Sequence, residues 1–435
     1  MTTGATGSSV NSHYLRQVVN LSEVMAVAAS EDIFDANGNK LLAKGALMSR
    51  DMQEKLIVHR LRKPLESSIA VDGGITTKVI VGEAARLSES CAPLRRVLRA
   101  TSGGASPLKL LSAVRLGNAM SMMLTMIERG GPRALEHCVM VSLIAICLAK
   151  KLGLDETRQS NVALAGLLHD IGELYIEPGY LNPHRRLLPH EWKHIVVHPR
   201  IGEMLIKDLA EYPPEVARAV AEHHERVDGS GYPRQLTGDE ISVEGEILAA
   251  AEMISGVFTK NRPLDRAELA LKIIPGEWSH ALRSVISGTL RLPTEDNDAP
   301  RGGFDDVDAE REKSGEDVAA LYKRLSTAHH TCEGLQGAGA LGSAKARALL
   351  ALALQRTGTI RRAFISTGLD VYLDEGRRLF ETRDMEILFE KAVASKEIAW
   401  RLRDVARDLA LQANLLDARE VSAFEPLIVL LDGRT

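Results

Sequence analysis

The stretch His223-His224-Glu225-Arg226-Val227-Asp228-Gly229-Ser230-Gly231-Tyr232-Pro233 decides how this chain reads. Two adjacent imidazoles, followed by a glycine-rich loop closed with proline, set metal-capable nitrogens beside a rigid, shaped rim. Upstream stand His169-Asp170-Ile171-Gly172 and, between the two stretches, His198-Pro199-Arg200-Ile201-Gly202. Of the 13 histidines, eight lie between residues 137 and 224. Imidazole and carboxylate donors suit borderline or hard divalent ions, and an aspartate can bridge two of them, so the pattern points to a two-metal centre.

Around these motifs the spacing is helical. Segments Ala134 to Leu152, Arg158 to Gly172, Pro189 to Leu209, Pro214 to Glu225 and Ser242 to Phe258 each repeat apolar residues at helix period, which predicts an all-α bundle over 131–292. Helices of one bundle turn their side chains into a shared cavity, as a multi-histidine site requires. Ahead of it, 93–130 reads as connecting helices, with Ser106-Pro107 as a cap and first-turn pair. Residues 13–92 read as a small mixed α/β accessory module. Its hairpin signal is Asp35-Ala36-Asn37-Gly38-Asn39 between Ile33-Phe34 and Leu41-Leu42. Residues 1–12 read as a disordered tail, 293–316 as an acidic linker, and 317–435 as a C-terminal helical domain or dimerising extension. The expected fold class is mainly α, a helical bundle with a small β-containing N-terminal module and a C-terminal helical region.

Composition narrows the partners. With 54 basic and 58 acidic residues and a net charge of −4, the 435-residue chain lacks the cationic excess that binding a nucleic-acid polymer needs. The four cysteines form no CxxC pair, so neither a disulfide framework nor a thiolate zinc site is expected. The N-terminus lacks a secretion-signal layout, and the apolar run Val139 to Ala149 is too short to span a bilayer. A cytoplasmic protein without a membrane partner is expected.

The strings HDIG, HPxxG and HHExxDGSGYP, in this order between Arg133 and Arg262, resemble the HD-GYP family of cyclic-dinucleotide phosphodiesterases. The resemblance implies an HD-superfamily bundle that hydrolyses cyclic di-GMP to pGpG or GMP in bacterial second-messenger signalling. It implies a metal set of His137, His169, Asp170, His198, His223, His224 and Glu252 for two divalent ions, iron or manganese, with zinc also satisfying the ligand types. Asp170 is the expected bridge. His137 and His169 are expected on one side of it, with His198, His223 and His224 on the other. Substrate contacts are expected from Arg226, Asp228, Gly231, Tyr232, Pro233 and Arg262, with Tyr232 packing on a guanine face. The GYP loop is expected to dock diguanylate cyclase domains, and a homodimer is a further expectation. A lone histidine on an apolar face is ordinarily a hydrogen-bonded residue and not a ligand, and that bland reading covers His13, His59, His184, His190, His194, His280, His329 and His330.

Three positions depart from the family pattern. Glu173 stands where a lysine commonly meets substrate phosphate, so Asp170 and Glu173 are the candidate catalytic positions. A carboxylate about 5 Å from a phosphate oxygen costs about 3 kcal/mol at an effective dielectric near 20. Glu252 replaces the usual last aspartate, keeping the ligand chemistry on a side chain one methylene longer. Arg133 occupies the place of a third-metal glutamate, which disfavours a third ion and suggests an Arg133–Glu173 ion pair. Glu173 and Glu252 also support an alternative: a catalytically weak or inactive relative acting as a cyclic di-GMP receptor or signalling scaffold.

Overall fold

The structure is a computed structural model that describes residues 8–101, 104–131, 133–182, 184–258, 260, 262–290, 307–337, 341–370 and 385–433. Its contacts divide the chain into two compact units. One comprises Met1–Arg185 with His194–Phe258, the other Arg186–Lys193 with Thr259–Thr435. Both are mainly helical.

The first unit opens with the accessory module. Strands β1 (Ser8–Ser9), β2 (Val27–Ala29), β3 (Ile33–Phe34), β4 (Lys40–Leu42), β5 (Arg60–Leu61) and β6 (Ile69–Val71) pair antiparallel as β1–β5, β2–β6 and β3–β4. Of the expected tail, residues 1–7 lie outside the described residues. Ser8–Ser9 instead form a ladder, and Asn11 caps helix α1 (Ser12–Ser22), its Oδ1 accepting from the backbone N–H groups of His13 and Tyr14. The sequence looked featureless there because both devices depend on partners outside the segment. The β3–β4 hairpin forms as its turn chemistry dictates: Gly38 has φ +88°, and buried Asp35 accepts from the N–H groups of Asn37 and Asn39.

The bundle is built from α2 (Ala134–Lys151), α3 (Glu156–Leu168), α4 (His198–Leu209), α5 (Pro214–Glu222) and α6 (Val243–Ser255). Helix α2 is buried on nearly every face from Cys138 to Ala149, so its apolar run marks a central helix. Each fully buried Val139, Leu143, Ile144 and Ile146 contributes about 1.5–3 kcal/mol to folding. Among the described residues, no single helix is long and apolar enough to cross a membrane. Helices α2 and α3 meet almost backbone to backbone. A Cβ on Gly166 would lie 2.6 Å from Ser142 Cα, and Ser142 Oγ donates to Ala163 O at 2.7 Å.

Two expected helices are interrupted. The Arg158 to Gly172 segment stops being α-helical at Leu168. Asp170 takes φ −100°, ψ 8°, and a 3-10 turn follows over Ile171–Tyr175. The Pro189 to Leu209 segment divides into a 3-10 turn at Pro189–His194 and α4, because Pro199 lacks the N–H an uninterrupted helix would use and belongs in a first turn. Both breaks place metal candidates at helix ends.

The second unit contains α7 (Pro263–Lys272), α8 (Val307–Gly337), α9 (Ala344–Ser366), α10 (Met385–Ala413) and α11 (Ala418–Asp432). Their core includes Leu321, Leu325, Leu349, Phe364, Ile398, Leu402, Phe424 and Leu427. Ile273 and Ile274 join this core, and buried Arg401 pairs with Glu277 at 2.6 Å while donating to Ala270 O at 3.0 Å. The unit boundary therefore follows Phe258, ahead of the expected domain end at 292. Most of the expected acidic linker lies outside the described residues, but α8 starts within it at Val307 and takes in Asp308, Glu310 and Glu312. Buried Leu321, Leu325, Ala328 and Cys332, spaced at helix period, anchor that helix.

Candidate metal centre

Five helix ends and one helix flank converge on Asp170. His137 lies in the first turn of α2, His169 caps α3, His198 starts α4, His223 caps α5 with His224 after it, and Glu252 lies in the last turn of α6. Asp170 divides its oxygens. Oδ2 lies 2.9 Å from His169 Nε2 and 3.8 Å from His137 Nε2, whereas Oδ1 lies 3.6 Å from His198 Nε2 and 3.7 Å from His223 Nε2. Glu252 Oε2 closes the first group, 3.0 Å from His137 Nε2 and 3.3 Å from His169 Nε2. His224 completes the second: donor atoms of His198, His223 and His224 lie within 4.8 Å of one another.

The tautomers follow from what holds each ring. His169 Nδ1 faces Gly166 O at 2.9 Å, His198 Nδ1 faces Ile195 O at 2.8 Å and His223 Nδ1 faces Val220 O at 2.6 Å. A carbonyl only accepts, so each Nδ1 carries the hydrogen and a neutral ring turns its Nε2 lone pair inward, as metal-binding histidines do. Ser255 Oγ lies 3.2 Å from His137 Nδ1 and orients that ring. His198 and His223 thus point two lone pairs at each other across 3.1 Å, a repulsion that a shared cation relieves. Glu252 Oε2 is buried without a hydrogen-bond donor of good geometry. The donor set fits divalent metal.

The two ends differ in charge. Burial, reinforced by the facing His198 and His169, pushes the His223 imidazole down to about 3, and burial with His223 beside it holds His224 well below its ordinary value. Burial also lowers His198, although Asp170 opposes it. At the other end burial is outweighed. Asp170 and Glu252 raise His169 well above its usual value, and Glu252 raises His137. Against burial, His169 lowers Asp170, while His137 and His169 hold Glu252 well below the usual carboxylate range. Glu173, close to Asp170 and His198, moves oppositely: burial first, then the Asp170 charge, raises it well above an ordinary carboxylate. A raised carboxyl is less readily ionised, which weakens the repulsion expected from its sequence position. No ion pair joins it to Arg133 among the described residues.

Residues 121–277 match the HD domain family. A cyclic di-GMP phosphodiesterase of Pseudomonas aeruginosa is 32% identical over 145 residues, 33% of this chain and 35% of that protein. The cyclic di-GMP phosphodiesterase response regulator RpfG of Xanthomonas campestris is 34% identical over 128 residues, 29% of this chain and 34% of its own. This chain carries an HD domain. The 3'3'-cGAMP-specific phosphodiesterase 3 of Vibrio cholerae is 28% identical over 146 residues, 32% of each chain. The chain thus matches about a third of the length of these relatives.

The GYP loop stands directly on the centre. The Tyr232 ring stacks on His224 with centroids 4.6 Å apart, so one of its faces is already covered, and Tyr232 N donates to His224 O at 3.1 Å. The Tyr232–Pro233 peptide is cis. Gly231 is required by close approach: a Cβ there would lie 2.4 Å from Arg226 N and from Glu225 Cα. Asp228 is exposed and accepts from Ser230 N at 3.0 Å, while Arg226 donates to Glu225 O at 2.8 Å. Arg262 belongs to the second unit. Its guanidinium pairs with Glu386 at 2.7 Å and Asp265 at 2.8 Å and lies 4.0 Å over the Phe389 ring, so its charge is already compensated.

Supporting residues went unread in the sequence. Buried Glu225 holds the loop by accepting from Arg234 N at 2.7 Å and Leu236 N at 3.1 Å. Glu222, 1% exposed, accepts from Arg218, Arg234 and both the N–H and hydroxyl of Ser242, the cap of α6. It thereby ties the His223 helix to the Glu252 helix. Glu225 was visible inside the HHExxDG string. For Glu222, only an acidic residue in an otherwise apolar helix end offered a signal.

Proposed function

We propose that this HD-GYP protein is a metal-dependent phosphodiesterase that hydrolyses cyclic di-GMP to pGpG or GMP. The observation carrying this reading is the division of Asp170, one oxygen toward His137, His169 and Glu252, the other toward His198, His223 and His224. These residues would hold two divalent ions, iron or manganese, which when bound supply Lewis acidity and an acidified water. The chain's own groups do the rest. The carbonyl-anchored imidazoles keep the donors fixed. The Glu173 carboxyl, raised by burial and by the Asp170 charge, would donate a hydrogen bond to a phosphate oxygen when protonated. Arg226, Asp228, Gly231, Tyr232 and Pro233 form the rim against which a guanine packs, and the same loop is the proposed docking point for diguanylate cyclase domains.

The test is to load the full chain with manganese or iron, quantify the ions, incubate it with cyclic di-GMP and with 3'3'-cGAMP, and separate the products. Linear dinucleotide that disappears in Asp170→Asn supports the reading. Tight binding of cyclic di-GMP without product favours the receptor reading, which the missing lysine at Glu173 supports.

A further inference from the structure

The accessory module reaches the turn that carries Asp170. The backbone carbonyls of Leu174 and Tyr175 end the 3-10 turn and have no later turn of helix to accept from. Helix α1 supplies their donors: Gln17 Nε2 donates to Leu174 O at 2.9 Å and Asn11 Nδ2 to Tyr175 O at 3.4 Å. The Asn11 amide is oriented by its own cap, because Oδ1 is taken by the N–H groups of His13 and Tyr14. Fully buried Tyr14 stacks on Tyr175 with centroids 4.9 Å apart and planes 13° from parallel, and the Tyr175 hydroxyl donates to buried Glu66 of the same module.

On its opposite side the turn abuts α4, where Gly172 leaves no room for a Cβ against His198 O. Its first hydrogen bond runs from Glu173 N to Asp170 O at 2.9 Å. A 3-10 turn rises about 2 Å per residue, so Leu174 lies only about 8 Å along the chain from Asp170. A shift at one end of so short a rigid piece reaches the other.

We infer that Gln17 and Tyr175 are positioning residues for the metal bridge: the accessory module sets the location of Asp170 by capping the turn behind it. This rests on the two-ion reading of the site. A supporting residue of this kind alters metal affinity by about 10–100-fold when removed.

The test is manganese titration of the metal-free full chain, following loss of the free-ion EPR signal and appearance of the spin-coupled pair. Gln17→Leu removes the donor and is expected to weaken pair formation about tenfold. Gln17→Lys keeps a donor on a half-buried side chain and is expected to retain it. Tyr175→Phe keeps the stack, loses the Glu66 bond and should fall between. Gln159→Leu is the control: it deletes an equivalent amide-to-carbonyl bond, to Leu154 O at 2.6 Å, about 15 Å along α3 from His169, and should lower the melting temperature without weakening the pair. Wild-type affinity in Gln17→Leu, or equal weakening in Gln159→Leu, overturns this inference alone. A wild-type chain that takes up no manganese overturns the two-ion reading along with it.

Discussion

Gly172→Ala should disable the centre without replacing a ligand. The new Cβ would lie 2.1 Å from His198 O, 2.9 Å from His198 C and 3.0 Å from Gly202 N. Carbon and carbonyl oxygen ordinarily approach to about 3.3 Å, so turn and α4 must part by about 1.2 Å. His198 Nε2, now 3.6 Å from Asp170 Oδ1 and 3.1 Å from His223 Nε2, retreats with its peptide. Ligand distances tolerate about 0.2 Å, so this shift takes one imidazole out of coordinating range. The overpacking itself costs about 1–3 kcal/mol of folding stability. Ions bound per chain by metal analysis, manganese affinity by titration and thermal unfolding by circular dichroism would be compared with Gly82→Ala. Gly82 sits in a helix with no atom within 4 Å of its added Cβ, so alanine there should stabilise by about 0.5–1 kcal/mol. Two ions bound to Gly172→Ala with wild-type affinity would refute the argument that this contact sets the spacing of Asp170 and His198.

Three other outcomes follow from the same geometry. His137 and His169 have raised proton affinities and so keep protons to higher pH than ordinary imidazoles, whereas His198, His223 and His224 do not; metal uptake near neutrality should displace protons from the first pair, and manganese affinity should rise with pH between about 6 and about 8. A flat affinity across that range contradicts it. Glu173→Gln keeps a hydrogen-bond donor that does not titrate; because a raised carboxyl loses its proton as pH rises, the wild type alone should decline toward alkaline pH, as a pH–rate profile would reveal. Glu222→Ala strands the Ser242 N–H and removes the partner of two half-exposed arginines, and should cost about 1–3 kcal/mol in denaturant unfolding, mostly through Ser242; an unchanged midpoint would deny Glu222 its tie between α5 and α6.

The candidate ligands were legible because adjacency in the chain fixes adjacency in space: His169-Asp170 and His223-His224 cannot part, and helix-period segments carry them to one cavity. What set their distances was not legible. Gly172 against His198 O, Gly166 against Ser142 and Gln17 against Leu174 O join positions 26, 24 and 157 residues apart, and no local pattern encodes such contacts. The break before His198 was hinted at by Pro199, yet the apolar period ran on through Ile195 and obscured it. The expected domain end at 292 differs from the unit boundary after Phe258 because an amphipathic face does not say which core it will join. The Arg133–Glu173 pair failed because Arg133 occupies a left-handed position, φ +72°, at the start of α2, while Glu173 sits in a buried turn beside Asp170.

The short insert Arg186–Lys193 has a practical consequence. It lies in sequence between Asp170 and His198, both of the first unit, yet it belongs to the second: Arg407 sits 4.1 Å over the Trp192 ring and Arg186 pairs with Asp432 at 3.3 Å. The chain is interlaced, so no single cut separates it into self-sufficient halves. A fragment stopped at Phe258 would strip Trp192 and Arg186 of their anchors six and twelve residues before His198, and engineering of this protein should shorten it at neither side of that seam.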